Sequence, residues 1–373
     1  MAAGNDGKVR FAIVGTGLMG IEHIRNLRLR PDAQIVALCD PVAKSLDRAK
    51  AALGDDANSV ESFSDCAALV AARNSGFALD AIIVASPNHT HHEVLAPLFG
   101  TGLHILCEKP LCTTLDDARR TANAACAHTE RTGGVFWVGM EYRYMPPVAE
   151  FIARVKGGAV GKLQMLAIRE HRFPFLRKVG DWNRFNRNTG GTMVEKCCHF
   201  FDLMRLIVGA EPVRVFCSGA MDVNHREERY DGERPDIIDN SYTIVDFANG
   251  ARSMLDLCMF AEGSQNQEEI AAVGDRAKLE VLIPDGDIVF SARVGFAAKK
   301  VERTHVEVDE HVLDAGHHYG ATYFQHAAFL AALRGQGATE VTADDGLRAV
   351  AMGIAAEQSA REKRAIEMDT VLR

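Results

Sequence analysis

The sequence has no run of eighteen or more apolar residues, the length a helix needs to cross a bilayer, so no membrane span and no membrane partner is expected. No apolar segment follows the N-terminus either. MAAGNDGKVR leads straight into a strand-like stretch, which argues against a secretory signal. Clustered basic charge is also missing: the net charge is −8, whereas nucleic acid needs a concentrated positive surface, so it is not an expected partner. Cys39, Cys66, Cys107, Cys112, Cys126, Cys197, Cys198, Cys217 and Cys258 are odd in number and show no C-x-x-C spacing. That pattern reads as reduced thiols in a cytoplasmic protein, and it offers no zinc set. No internal repeat or low-complexity tract interrupts the chain.

What is present is an ordinary globular composition, 47% hydrophobic and 25% charged, over 373 residues, enough for two domains with separate cores. Residues 1–140 alternate short apolar runs with amphipathic stretches, the pattern of a parallel sheet wrapped by helices. Strands are expected at 9–14, 35–39, 81–85, 104–107 and 135–138, and helices at 19–29, 42–53 and 114–131. Pro146-Pro147 marks the boundary, because consecutive prolines cannot continue a strand ladder. Beyond it come a helix near 147–156, a strand near 162–170, an aperiodic loop at 173–191 and one helix over 192–208 ending at Gly209. From 212 to about 308 the signal is strands and turns, with a hairpin around Ala248-Asn249-Gly250. Two helices, about 318–334 and 342–361, finish the chain. The fold class is therefore α/β. A doubly wound Rossmann domain (1–140) is followed by an α+β domain (141–373) with a large, mostly antiparallel sheet, and the last helices are allowed to pack back on the first domain.

FAIVGTGLMG gives Gly15, Gly17 and Gly20 in G-x-G-x-x-G spacing, directly after a strand and opening a helix. Gly15 permits the tight turn, Gly17 lets the backbone approach a pyrophosphate, and Gly20 allows close helix–strand packing. Amides at the helix start then face the anion. Thr16, Leu18 and Met19 complete the cofactor turn. Asp40 ends the second strand, where a carboxylate accepts ribose hydroxyls and repels a 2′-phosphate, favouring NAD over NADP. The competing role for Asp40 is to cap the helix behind Pro41. Lys44 is close enough in sequence to leave dual cofactor use open.

Two segments fall at strand ends, where open α/β sheets place ligands: Ser86-Pro87-Asn88-His89-Thr90-His91 and Cys107-Glu108-Lys109-Pro110. With GTGLMG, the Tyr142-Arg143 pair in MEYRYMPP, and Gly190-Gly191 leading to Glu195, His199 and Asp202, they make the chain resemble the Gfo/Idh/MocA oxidoreductases. The resemblance covers nearly the whole chain. It implies a Rossmann domain joined to an open-faced α+β domain whose sheet serves oligomer contacts, hence a homo-oligomer, dimer or tetramer. It implies that Lys109 is catalytic and that the Lys109–Pro110 bond is cis. Cofactor contacts are expected from Ser86, Pro87, Asn88, His91, Glu108, Lys109 and Arg143. Glu195 and His199 share a face of the 192–208 helix at i, i+4 spacing. His199 matches the histidine of inositol dehydrogenases, whereas Glu195 stands where they have Asp. The bland alternative for His199 is a core histidine. Asp202 reads as an orienting residue, and Lys196 as a surface or cofactor-side charge. His171-Arg172-Phe173-Pro174 resembles the His-Arg-Asn-Pro stretch of inositol dehydrogenases, so His171 is expected to contact substrate, with Trp182, Asn183 and Tyr319. His317-His318-Tyr319, Tyr323 and His326 have the spacing of a helix start rather than of a metal cluster, and no metal is expected.

The implied activity is hydride transfer between nicotinamide and a carbinol carbon of a sugar, sugar derivative or inositol. Lys109 and His199 handle the proton, and Glu195 positions them. Alternatives are a redox-neutral enzyme that recycles its NAD on a glycoside, and a cofactor-binding metabolite sensor.

Overall fold

The computed structural model describes residues 7–295 and 300–373, so the reading of residues 1–6 as lacking a leader lies outside the described residues. The chain divides into two compact units. The first is Met1–Glu141, Lys178–Gly180 and Asp309–Leu347; the second is Tyr142–Arg177, Asp181–Val308 and Arg348–Arg373.

The chain begins with β1 (Val9–Val14), α1 (Leu18–Arg28), β2 (Ala33–Cys39) and α2 (Ala43–Leu53). Then come β3 (Glu61–Phe63), α3 (Cys66–Asn74), β4 (Ala81–Val84) and α4 (His91–Leu95). β5 (His104–Glu108), α5 (Leu115–Thr132) and β6 (Phe136–Gly139) close the sheet. β3 and α3 fill a stretch where the sequence signalled nothing. All neighbours in this six-stranded sheet run parallel, in the order β3-β2-β1-β4-β5-β6, the doubly wound arrangement. β4 and β6 are buried at every position because helices cover both faces, which is why they read as unbroken apolar runs.

The second part of the chain opens with α6 (Pro146–Lys156), β7 (Leu163–His171), α7 (Asn186–Thr189), α8 (Thr192–Glu195) and α9 (Cys198–Val208). The strand-rich stretch holds β8 (Pro212–Ala220), β9 (Asn240–Phe247), β10 (Arg252–Cys258), β11 (Glu268–Gly274), β12 (Ala277–Ile283), β13 (Asp287–Ala292) and β14 (Val301–His305). α10 (Glu310–Asp314), α11 (Ala321–Leu333), α12 (Ala343–Glu362), β15 (Ile366–Glu367) and α13 (Met368–Leu372) complete it. The nine-stranded sheet has the order β14-β13-β12-β11-β7-β10-β9-β8-β15. Its neighbours are antiparallel except β7 and β10.

Two differences from the sequence reading matter for the site. The single helix expected over 192–208 is two, because the Cys197 amide reaches back five residues to the Thr192 carbonyl and opens a turn at Lys196-Cys197. Lys196 is not a surface charge but is buried, 4% exposed. Asp309–Leu347 lies in the first unit, where Phe329 of α11 packs edge-on against Trp137 of β6 at 5.9 Å and, tilted, against Phe11 of β1 at 6.3 Å.

The nine-stranded sheet is two-faced. Leu166, Ile168 and Glu170 of β7 are buried on the side toward α9, while Met165, Ala167, Arg169 and His171 alternate to the other side. On that outer side Met254 stands opposite Ile244, and Ile244 opposite Phe216, all three exposed.

Candidate active site

In the first unit the site is built on the turn between β1 and α1. Gly15 has φ +85°, and a Cβ there would lie 2.4 Å from the Ser86 amide nitrogen, so only glycine lets this turn meet the end of β4. A Cβ at Gly20 would lie 2.2 Å from the Gly15 carbonyl oxygen. At Gly17 it would meet nothing within 4 Å. Gly17 is also the N-cap of α1, and no side chain caps the amides there. The turn thus offers backbone donors beside open space, which suits an anion. Leu18 is exposed at the first position of α1, followed by Met19.

Asp40 is held by this turn. Its Oδ2 accepts the Thr16 amide at 2.7 Å and the Thr16 hydroxyl at 3.0 Å, and its Oδ1 accepts the Val42 amide at 2.8 Å. Asp40 therefore clasps the turn but does not cap the helix behind Pro41, whose N-cap is Val42 and carries no side-chain cap.

At the end of β4, the Thr90 hydroxyl donates to the Pro87 carbonyl at 2.7 Å and lies 2.9 Å from the Ser86 hydroxyl, from which it can accept. Asn88 is buried, and among the described residues its Nδ2 has no acceptor, a donor suited to a ligand. His91 is fully buried, with Nδ1 2.9 Å from the Pro110 carbonyl oxygen and Nε2 3.1 Å from that of Ser86. It fastens the two strand-end segments to each other, and burial lowers its pKa.

Lys109 follows β5, half-buried, and the Lys109–Pro110 bond is cis. The Lys109 amide donates to Glu108 Oε2 at 3.2 Å. Glu108 Oε1 is 3.0 Å from His23 Nε2, and His23 Nδ1 is 2.9 Å from His326 Nε2. Burial alone would raise the Glu108 carboxyl. The His23 hydrogen bond and the charges of His23, Lys109 and His318 outweigh it and hold the pKa below the ordinary value. Nearby Glu141 is pushed up to about 7 by burial and by the Glu108 charge. Half-buried Tyr319, at φ +51°, precedes α11. His318 bonds Glu22 at 2.8 Å, and Arg30 lies over the Tyr323 ring at 5.2 Å.

In the second unit Glu195 and His199 are both buried, 2% exposed each, on either side of the Lys196-Cys197 turn. The His199 imidazole stacks on the Tyr142 ring, with centroids 4.1 Å apart and planes 10° apart. Arg143 is committed to Asp202. Its Nε donates to Oδ2 at 2.5 Å and its Nη2 to Oδ1. Trp182 is half-buried in the turn Val179–Arg184, and its carbonyl accepts from Asn188 Nδ2 at 3.0 Å. Asn183 is buried, donating from Nδ2 to the Leu176 carbonyl at 2.9 Å. His171 bonds Asp256 at 3.2 Å on the outer side of β7, and the neighbour Glu170 is the residue that turns inward.

The oxidoreductase family's NAD-binding Rossmann fold matches residues 9–139, and its C-terminal alpha/beta domain matches residues 152–368. The chain belongs to the Gfo/Idh/MocA family. It is 24% identical to a myo-inositol 2-dehydrogenase of Thermotoga maritima over 98% of this chain and all of that one. It is also 24% identical to a 2,7-anhydro-N-acetylneuraminate hydratase of Mediterraneibacter gnavus, over 65% of this chain and 62% of the relative. Among solved structures, the WlbA dehydrogenase of Bordetella pertussis in complex with NADH and UDP-GlcNAcA shares the fold. Its TM-score is 0.73 at 20% identity, over 96% of this chain and 98% of that one.

This Gfo/Idh/MocA member contains polar groups that local pattern did not reveal, His23 behind Glu108 and Glu170 and Glu268 around Tyr142; His326 and Lys196 stood out in the sequence, but not their pairing with these groups. One signal was legible. Glu170 falls in phase with Leu166 and Ile168 on the buried side of an alternating strand, where a carboxylate requires a partner.

Proposed function

We propose that this family member is an NAD-dependent dehydrogenase acting on a secondary hydroxyl, or the matching carbonyl, of a sugar, sugar derivative or inositol. The observation that carries the reading is the cradle at α1. Gly15 and Gly20 close the turn, the helix start is uncapped by side chains, and the space beside Gly17 is open. The orphaned Asn88 donor supports a ligand at the same edge of the sheet. The inositol dehydrogenase relative supports the substrate class.

When bound, nicotinamide supplies the hydride acceptor or donor. Asp40 is assigned the ribose hydroxyls, and its charge disfavours a 2′-phosphate. Lys109 is assigned the substrate hydroxyl proton, because a lysine close to a cationic ring releases its own proton more readily and can then accept another. His199 and Glu195 are assigned substrate hydroxyls, with Trp182, Asn183 and Tyr319 shaping specificity. His91, bonded to the Pro110 and Ser86 carbonyls, and Arg143, paired with Asp202, are assigned support rather than direct cofactor contact, and His171 receives no substrate contact. The outward row Phe216, Ile244 and Met254 supports assembly into a homo-oligomer.

The test is NADH absorbance with NAD and a panel of inositols, aldoses, sugar acids and glycosides. Stoichiometric NADH from one substrate is expected, and Lys109→Ala should lower turnover at least about a hundredfold. Near-normal turnover in that variant would remove Lys109 from the chemistry. The hydratase relative favours a second reading, a redox-neutral reaction with recycled NAD. It predicts product formation from a panel member with no net NADH.

A further inference from the structure

Beneath His199 lies a buried cluster that the proposed chemistry does not use. The Tyr142 hydroxyl receives a hydrogen bond from Lys196 Nζ at 2.5 Å and donates to Glu268 Oε1 at 3.2 Å. Lys196 Nζ is 2.9 Å from Glu170 Oε1 and sits 4.7 Å from the Tyr142 ring centroid and 5.5 Å from that of Phe200. Glu170 and Glu268 face each other across β7 and β11, and Arg172 Nη1 is 3.6 Å from Glu170 Oε1. Tyr142, Lys196, Glu170 and Glu268 are all at most 4% exposed.

Burying a lysine and a carboxylate costs several kcal/mol per ion before their attraction is counted, and an apolar pair of the same size is often as stable. The cluster is therefore weak evidence for stability alone. Its geometry does something more specific. The Tyr142 hydroxyl is pinned from two sides, which fixes the long axis of the ring, and Phe200 crosses the ring edge-on at 5.7 Å and opposes rotation about that axis; the His199 imidazole lies parallel to the ring so held. An aromatic pair adds only a modest attraction. A stack held by one partner's anchored hydroxyl still restricts the tilt of the other ring.

We propose that Lys196 and Tyr142 are positioning residues for His199: Lys196 anchors the Tyr142 hydroxyl, and the Tyr142 ring sets the plane of the imidazole. The inference rests on the proposed assignment of His199 to substrate hydroxyls. It predicts a signature that needs no substrate, because a ring stacked at 4.1 Å on a tyrosine carries upfield-shifted imidazole resonances.

The experiment compares imidazole NMR signals of histidine-labelled full-length protein, with His199 identified by their loss in His199→Asn. Tyr142→Leu should abolish the upfield shift. Tyr142→Phe, which keeps the ring, should retain part of it. Removing Lys196 alone takes the nearer cation from buried Glu170 and leaves it Arg172 at 3.6 Å, so Lys196→Met is made together with Glu170→Gln. That pair should match Tyr142→Phe, and adding Tyr142→Phe to it should change nothing more, the non-additivity expected of one anchoring unit. With a turned-over substrate, kcat should fall about ten- to a hundredfold in Tyr142→Leu while KM for NAD is unchanged. An upfield shift that persists in Tyr142→Leu, or full kcat despite a lost shift, overturns the inference. Silence of the wild type on every substrate overturns the dehydrogenase reading instead, and the ring signals still decide the positioning.

Discussion

Asp40 and Thr16 are bound to each other through a single oxygen: Oδ2 accepts both the Thr16 amide and its hydroxyl. The carboxylate assigned to the ribose is thus also a clasp on the phosphate-binding turn. Asp40→Ala should weaken NAD binding at least about tenfold and shrink the preference for NAD over NADP, because the charge that repels a 2′-phosphate is gone. Calorimetric titration with both nucleotides checks this. A uniform loss for NAD and NADP would leave Asp40 as a clasp only.

The three glycines of the turn separate into two kinds. At Gly15 and Gly20 a Cβ meets backbone at 2.4 and 2.2 Å, so alanine at either should cost about 2 kcal/mol or more and lower the melting temperature. At Gly17 there is open space, so Gly17→Ala should unfold within about 0.5 kcal/mol of wild type yet bind NAD at least about tenfold more weakly. Thermal melts with and without NAD distinguish the two. A destabilised Gly17→Ala, or one with full affinity, contradicts the cradle.

Glu22 of α1 supplies a pH dependence. Burial alone would raise its carboxyl, but the His318 charge and hydrogen bonds from His318 and Thr322 bring it from 4.5 to about 2. A carboxyl depressed in the folded state stabilises above its unfolded value and loses that contribution as pH falls toward the folded one. The difference is on the order of 3 kcal/mol at neutral pH. Glu22→Gln should therefore be less stable in urea at pH 7, with the gap to wild type narrowing below about pH 4.5. A gap independent of pH would show that the charge is not what matters.

Glu268 should behave in the opposite sense. Burial, then the Glu170 charge, push it up to about 8. The unfolded chain ionises this group near 4.5 while the folded chain keeps its proton, so stability is lost as pH rises between the two values. Glu268→Gln should match wild type near pH 4.5 and exceed it by about 1–3 kcal/mol at pH 8. Equal stability at both pH values would indicate that Glu268 is ionised in the fold.

The outer face of the nine-stranded sheet presents Met254, Ile244 and Phe216 side by side. If this face assembles the oligomer, Ile244→Glu should shift the sedimenting species toward the single-chain mass without changing NAD affinity. A wild type that sediments as a single chain, or an Ile244→Glu oligomer of wild-type size, rules the face out.

The sequence by itself determined the class of the first sheet, the glycine turn and the order of the strand-end segments. Those features are local: a strand buried on both faces reads as an apolar run, and a positive φ demands glycine at Gly15 whatever else surrounds it. Many of its helix and strand positions also follow from periodicity, though β3 and α3 gave no such signal. Tertiary structure decided what each polar residue became. The i, i+4 argument for Glu195 and His199 assumed a continuous helix, and the turn at Lys196-Cys197 interrupts it. Lys196 read as a surface charge because its partner Glu170 comes from another element. Glu108 finds His23 across 85 residues of chain, and His326 joins them across 303. His171 and Glu170 are adjacent in sequence, yet the pleat sends them to opposite sides of the sheet. A buried charge is tolerated only with a partner, and no local pattern records which distant segment will bring it.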